Sequence, residues 1–190
     1  LIPSESPVED MANDVVMPGL VDTHVHINEP GRTDWEGFET ATKAAAAGGI
    51  TTLVDMPLNC IPVTTTIDAL NQKIAATKNQ LWIDCGFYGG LIPDNIHDFE
   101  SLADAGILGF KAFLSHSGID EFPNILESHL REALPILSKK GIPILIHAEL
   151  ENGAIISEDH KTYKSFQESR PKSWENNAVK LLIQLCKEYD

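Results

Sequence analysis

The feature that most constrains the fold of this chain is an alternation of short apolar runs with helix-like segments. The apolar runs, which we predict to be strands, cover residues 20–26, 50–56, 81–88, 107–114 and 142–147. The Ala-rich or amphipathic segments between and after them cover residues 35–47, 67–78, 96–105, 125–139 and 174–189. Strands that alternate with helices pair in parallel through right-handed crossovers, so the pattern predicts an α/β fold with a parallel sheet.

The spacing of the predicted strand ends favours a barrel over an open sheet. The ends recur about every 30 residues, and eight such units would need roughly 240 residues, close to the ~250 of a (β/α)8 barrel. An open doubly wound sheet of five strands is the alternative, but it predicts a Gly-rich phosphate loop after the first strand, which is missing. We therefore predict a TIM-type (β/α)8 barrel, represented here by its first five β/α units and one further helix.

Charge and cysteine content restrict the partners and the compartment. The net charge of -14 argues against binding to nucleic acid and to anionic membrane surfaces, which both require clustered Lys and Arg. No apolar run approaches the ~18 residues of a membrane span, and the first residues lack the pattern of a secretory signal. Cys60, Cys85 and Cys186 are odd in number and form no CxxC pair. These features together predict reduced thiols in a cytoplasmic protein.

Four side chains near the predicted strand ends suggest a metal site. His24 and His26 are two residues apart, so they point to the same side of the first strand. His147 ends the fifth strand and Lys111 lies within the apolar fourth strand. Each signal has an ordinary alternative: an HxH pair occurs by chance, a lone His packs in a core, and a Lys extends its ammonium to water. The combination favours metal binding, because a buried neutral Lys reacts with carbon dioxide to give a bridging carbamate.

Several strings resemble the cyclic-amidase branch of the amidohydrolase superfamily, which includes dihydroorotases, hydantoinases and allantoinases. The general strings are VMPGLVDTHVH, GFKAFL and LIHAE, at residues 16–26, 109–114 and 145–149. The chain is most similar to the allantoinase family through HINEPGRTDWEGF, DMPLNCIPVTT and FKAFLSHSGIDEFP, at residues 26–38, 55–65 and 110–123. Tyr163 and the Ser-Arg-Pro string at 169–171 also fit that family.

The resemblance implies a centre of two divalent metal ions, most simply zinc, that opens the cyclic amide of allantoin to give allantoate. His24 and His26 would bind one metal, His147 the other, and Lys111, carboxylated by carbon dioxide, would bridge them. Iron, manganese and cobalt accept similar ligands. The family also implies a homotetramer whose substrate is a small ureide.

Two parts of the family's site have no counterpart in these residues. A further His on the sixth strand and an acid–base Asp on the eighth are expected beyond Asp190, so no catalytic acid–base residue is assigned within the chain. Residues 1–14 correspond to a remnant or linker of the family's small N-terminal β domain, and residues 15–190 to a partial barrel. We therefore expect an internal fragment that is inactive alone.

The residues that would select the substrate separate the alternatives. A dihydroorotase places an Arg two residues after the HxH pair to bind the substrate carboxylate, whereas this chain has Asn28 there. Asn28 suits a neutral ureide, and Asn59 is either a second substrate contact or a turn residue. A hydantoinase fits the string at 26–38 less well. The contrasting class is a non-catalytic scaffold on the same barrel, which the filled ligand positions disfavour.

Overall fold

The computed structural model describes residues 6–151 and 161–189. Its strands are Leu20–Val25 (β1), Ile50–Asp55 (β2), Asp84–Phe87 (β3), Gly89–Gly90 (β4), Phe110–Phe113 (β5) and Ile144–His147 (β6). Its helices are Phe38–Ala47 (α1), Ile67–Ala76 (α2), Phe99–Asp104 (α3), Glu127–Lys140 (α4), Tyr163–Ser169 (α5) and Lys172–Tyr189 (α6). Residues 6–19 contain neither a helix nor a strand.

All of the strand pairs are parallel, as the alternation predicts. One sheet has the order β1-β2-β3 and the other β4-β5-β6. Tyr88 separates β3 from β4, and its backbone N–H donates to the Asp55 carbonyl oxygen at 3.0 Å, while the N–H of Gly89 donates to that of Gly109 at 2.9 Å. This segment therefore leaves one sheet and joins the next, and the carboxyl ends of successive strands share one edge.

The structure corrects several predicted boundaries. The first helix begins at Phe38 rather than at residue 35, because the extended Gly37 precedes it and the Glu29 carboxylate accepts a 2.9 Å hydrogen bond from the Phe38 N–H. The third strand begins at Asp84 rather than at residue 81. The predicted helix 96–105 is a 3-10 turn, Ile96–Asp98, followed by α3, and α5 was not predicted.

The largest core cluster lies between the second sheet and its covering helices. Phe110 of β5 stacks on Phe99 of α3 with 4.0 Å between ring centroids, and both side chains are fully buried. Leu130 and Leu137 of α4 and Leu185 of α6 belong to the same cluster. The hydrophobic faces of these helices therefore fix the position of β5, which carries Lys111.

The outer strands are more open. Within the described residues β1 and β6 each pair with one strand, and Leu20 and Val21 of β1 are 52% and 62% exposed. None of the helices in that part of the chain has the length and hydropathy that a membrane crossing requires. Cys60, Cys85 and Cys186 are all free thiols, as predicted.

Candidate metal centre

His24 and His26 lie where β1 ends. Their ring centroids are 5.5 Å apart, with 47° between the ring planes, so the two imidazoles are neighbours, as their spacing predicts. The backbone N–H of His24 donates to the Asp22 carboxylate at 3.0 Å. His24 is exposed and His26 is half-buried. Burial, together with the positive charges of His24, Lys111 and Lys73, lowers the pKa of His26 and favours the neutral imidazole that binds metals.

Lys111 lies on β5 and is 5% exposed. Its Nζ is 4.8 Å from the centroid of the Phe113 ring, and within the described residues no carboxylate forms an ion pair with it. Burial lowers the pKa of Lys111 and so favours the neutral amine. A buried lysine without an anionic partner is unfavourable unless it has a chemical role, which supports its assignment to a site.

His147 and Lys111 both contact the ring of Phe113. His147 ends β6 opposite Phe113, and the two rings stack with 5.0 Å between centroids and 18° between planes. On the other side, the Nε2 of His147 is 3.5 Å from a Glu149 carboxylate oxygen that also accepts a 2.9 Å hydrogen bond from Arg170. Glu149 thereby contacts a predicted ligand and fits the role of orienting it.

The four predicted ligands form two groups at the carboxyl edge of the sheets. His24 and His26 make one group, and Lys111 and His147, which both contact the Phe113 ring, make the other. Across residues 6–151 and 161–189, no three His, Cys, Asp or Glu side chains are close enough together to hold a metal ion. Imidazole nitrogens with carbamate oxygens are nonetheless the donors that zinc, iron, manganese and cobalt accept, so the donor chemistry fits.

Asn28 carries an unsatisfied polar atom beside this centre. Asn28 is 8% exposed, and its amide oxygen Oδ1 is buried without a hydrogen-bond partner among residues 6–151 and 161–189. The backbone of Asn28 is held by hydrogen bonds with Glu36 at 3.1 Å and with Arg32 at 2.9 Å. Leaving a buried acceptor without a donor costs about 1–3 kcal/mol, so this oxygen is a suitable acceptor for the N–H of a bound ligand.

Asn59 is a turn residue that also touches His26. Its φ of 72° lies in the left-handed region, which Asn tolerates better than most residues. Its amide Nδ2 is 3.4 Å from Nδ1 of His26. Asn59 therefore has the backbone of a turn residue. It also contacts His26, a predicted metal ligand, which the sequence did not indicate.

Sequence reasoning also missed a buried ion pair that contacts the backbone next to His26. Asp55, at the end of β2, and Lys73, on α2, are 0% and 1% exposed and form an ion pair with each other. The other Asp55 carboxylate oxygen accepts a 2.6 Å hydrogen bond from the backbone N–H of Ile27, the residue after His26. A usable signal existed, because Lys73 falls on the same face of its helix as the buried Ala69 and Leu70.

Comparisons with known proteins identify the family. The model described as "Amidohydrolase family" matches residues 15–187. Allantoinase from Arabidopsis thaliana is 48% identical over 187 residues, which cover 95% of this chain and 37% of that protein. Allantoinase from Saccharomyces cerevisiae is 47% identical over 93% of this chain and 39% of that protein. The corresponding values for allantoinase from Streptomyces avermitilis are 48%, 98% and 42%. The chain thus spans about 40% of the length of these relatives.

Solved structures of hydantoinases resemble the fold of this chain. L-Hydantoinase (dihydropyrimidinase) from Arthrobacter aurescens superposes with a TM-score of 0.83 at 33% identity, covering 91% of this chain and 40% of that one. A D-hydantoinase superposes with a TM-score of 0.71 at 26% identity over 88% of this chain and 39% of that one. Together with the family match, these similarities establish a TIM-barrel-like α/β fold.

Proposed function

Because the chain belongs to the amidohydrolase family, we propose that the protein hydrolyses the cyclic amide bond of allantoin to give allantoate. Identity of 47–48% to allantoinases from a plant, a yeast and a bacterium supports this substrate over the other cyclic amides. The structural observation that carries the proposal is the buried amide oxygen of Asn28, two residues after His26, which has no hydrogen-bond partner in the described part of the chain. An allantoin molecule offers several N–H donors to such an acceptor.

The family implies a divalent metal and a carboxylated lysine in general, and we propose their placement on this chain. His24 and His26 would hold one ion, His147 a second, and carboxylated Lys111 both, with zinc as the first candidate. When bound, such ions polarise the substrate carbonyl and lower the pKa of water. We also propose that β1 to β6 form the first five strands of the barrel, with β3 and β4 together as the third, and that the complete protein is a homotetramer.

Lys111 contributes a chemical step of its own. Its neutral amine attacks carbon dioxide, a nitrogen–carbon bond forms, and one proton is released, which leaves an anionic carbamate. The environment on β5 favours this step, because burial disfavours the ammonium and no carboxylate stabilises it within the described residues. The carbamate in turn needs cations as partners, which couples modification of Lys111 to metal binding.

Asn28 would discriminate against acidic cyclic amides. Its amide oxygen accepts a hydrogen bond from a ureide N–H, and the neutral side chain offers no positive charge to a substrate carboxylate. A dihydroorotase has an Arg at this position for the opposite purpose. We therefore propose that allantoin is preferred over dihydroorotate.

The test compares substrates and metal content in the complete protein as its gene encodes it. Ring opening of allantoin, hydantoin and dihydroorotate is measured side by side, and bound metal is counted by mass spectrometry. We expect turnover of allantoin above that of the other two, and loss of both metal and activity in a Lys111→Met variant. A matched control is Lys43→Met on the exposed face of α1. Preferred turnover of hydantoin or dihydroorotate, or full metal content in Lys111→Met, would refute the assignment.

A further inference from the structure

We propose that Arg32 is a positioning residue, which fixes the turn at Asn59 so that the Asn59 amide orients the imidazole of His26. The proposal rests on the proposed function in so far as His26 binds a metal. It concerns a chain of contacts that runs from Glu121 through Arg32 and Asn59 to His26.

Arg32 connects three loops at the carboxyl edge of the sheets. Its Nη1 donates to the backbone carbonyl of Asn59 at 3.0 Å, and its Nη2 donates to the Glu121 carboxylate at 2.9 Å. The guanidinium also lies 5.0 Å from the ring centroid of Trp35. The Arg32 side chain is only 18% exposed, although it carries a permanent charge. A guanidinium with separate donors suits this arrangement, because each bond has a fixed direction.

The loops that Arg32 joins are in close contact. The N–H of Ile61 donates to the Pro30 carbonyl at 2.8 Å. Gly31, at φ +91°, leaves no room for a side chain, since a Cβ there would lie 2.6 Å from the Cβ of Ile61. The segment that contains Asn59 is therefore held at two points, by the Pro30 carbonyl at Ile61 and by the Arg32 guanidinium at the Asn59 carbonyl. Removing the guanidinium should loosen the Asn59 turn more than the rest of the loop.

The turn matters because of what the Asn59 side chain touches. Its amide is 3.4 Å from Nδ1 of His26. A neutral imidazole that offers Nε2 to a cation carries its proton on Nδ1, and that N–H needs an acceptor. In the structure the amide Nδ2 faces Nδ1. Rotating the amide by 180° about its last side-chain bond would place Oδ1 there instead, and this is the orientation that zinc binding to Nε2 of His26 would select. In that orientation Asn59 fixes both the tautomer and the ring of His26.

The experiment measures zinc affinity of the complete protein by competition with a chromogenic chelator, so the readout does not depend on turnover. We expect Arg32→Met to weaken zinc binding about 10–100-fold, as is usual when the support of a ligand is lost. Arg32→Lys should recover only part of this, since a single ammonium cannot reproduce both directed bonds. The matched control is Arg131→Met, because the Arg131 guanidinium also bonds two groups, the carboxylates of Glu127 on α4 and Glu188 on α6, away from the Asn59 turn.

A double-mutant cycle isolates the proposed route. Asn59→Gly keeps the left-handed turn accessible but removes the amide. Once that amide is gone, Arg32→Met should have little further effect on zinc affinity. Independent, additive losses would overturn the proposal, as would wild-type affinity in a folded Arg32→Met variant or an equal loss in Arg131→Met. If Arg32→Met does not fold, wild-type affinity in Asn59→Gly overturns it by itself.

Kinetics with allantoin separate this proposal from the proposed function. Poor orientation of His26 should lower kcat more than it raises KM. A protein that binds zinc through the predicted network but does not open allantoin would refute the substrate and leave the Arg32 assignment intact. If the protein opens allantoin but the Arg32→Met variant keeps the wild-type zinc affinity, the Arg32 assignment is refuted and the substrate stands.

Discussion

Replacing Lys73 with methionine removes the ammonium that faces the Asp55 carboxylate while keeping a side chain of similar length. In the wild type, the Lys73 Nζ donates to Asp55 and also to the Met56 carbonyl at 3.2 Å. After the substitution, Asp55 keeps its 2.6 Å hydrogen bond from the Ile27 N–H but has lost its counter-charge, in a position that is 0% exposed. The variant therefore tests how strongly this pair holds β2, α2 and the chain after His26 together.

The size of the effect follows from the burial of both groups. Breaking a buried ion pair by removing one partner costs about 3–5 kcal/mol. Burial already raises the pKa of Asp55 to about 6, with Lys73 and the Ile27 N–H opposing part of the rise. Without Lys73 the Asp55 carboxyl should take up a proton near pH 7, and the removal of its charge limits the loss of stability. We therefore expect a decrease in the free energy of unfolding of about 3 kcal/mol, the lower end of that range.

Urea unfolding followed by circular dichroism at pH 7 measures this loss. The control is Lys140→Met, which removes a 2.7 Å ion pair whose Lys140 and Asp104 side chains are 24% and 73% exposed. An exposed pair contributes less than about 1 kcal/mol. The double variant Asp55→Asn/Lys73→Met should be more stable than Lys73→Met alone, because it no longer buries a lone carboxyl. A loss in Lys73→Met no larger than in Lys140→Met would refute the reasoning.

Three further predictions test other parts of the site and its support. Asn28→Ala should raise KM for allantoin about tenfold through loss of one buried acceptor, and an unchanged KM would remove Asn28 from the pocket. Asp55 has a pKa of about 6 in the fold against 3.8 for the free side chain, so the proton-linked part of its contribution to stability is complete below pH 3.8 and is lost as the pH rises through 6. Asp55→Asn should remove that component, about 3 kcal/mol, from urea unfolding curves measured between pH 4 and 7. Thr66→Ala removes the hydroxyl that accepts from the Ala69 N–H at 3.2 Å and should cost about 1 kcal/mol in thermal or urea unfolding, whereas Thr66→Ser should cost little.

The sequence was sufficient to bring His24 beside His26 and to place Lys111 and His147 on neighbouring strands, because these signals are local. The alternation of strands and helices places His24, Lys111 and His147 on strands whose pairing is parallel in the structure, and His26 directly after the first of them. A period of two residues then brings His24 to the side of His26. These inferences need only the strand assignment and the rule that parallel strands share a carboxyl edge.

The supporting contacts could not be predicted in the same way, because they join side chains across long stretches of sequence. Arg32 meets a carboxylate 89 residues away at Glu121, and Asp55 meets Lys73 across a loop and most of a helix. The start of α1 depends on a Glu29 side chain that reaches nine residues forward to Phe38. Nothing in the local pattern selects one partner among many acidic residues, so these contacts depend on the folded geometry of the loops.

Two contacts restrict different degrees of freedom of His26, a proposed metal ligand. Asp55 binds the backbone N–H of Ile27 and so limits where the chain leaves β1, while Asn59 contacts the His26 ring and limits its rotation. A metal ligand needs both restrictions, since a correctly placed backbone still permits several ring orientations. Loss of Asp55 should therefore reduce stability and zinc affinity together. Loss of the Asn59 amide should reduce zinc affinity while leaving the free energy of unfolding nearly unchanged, because the backbone turn remains in place.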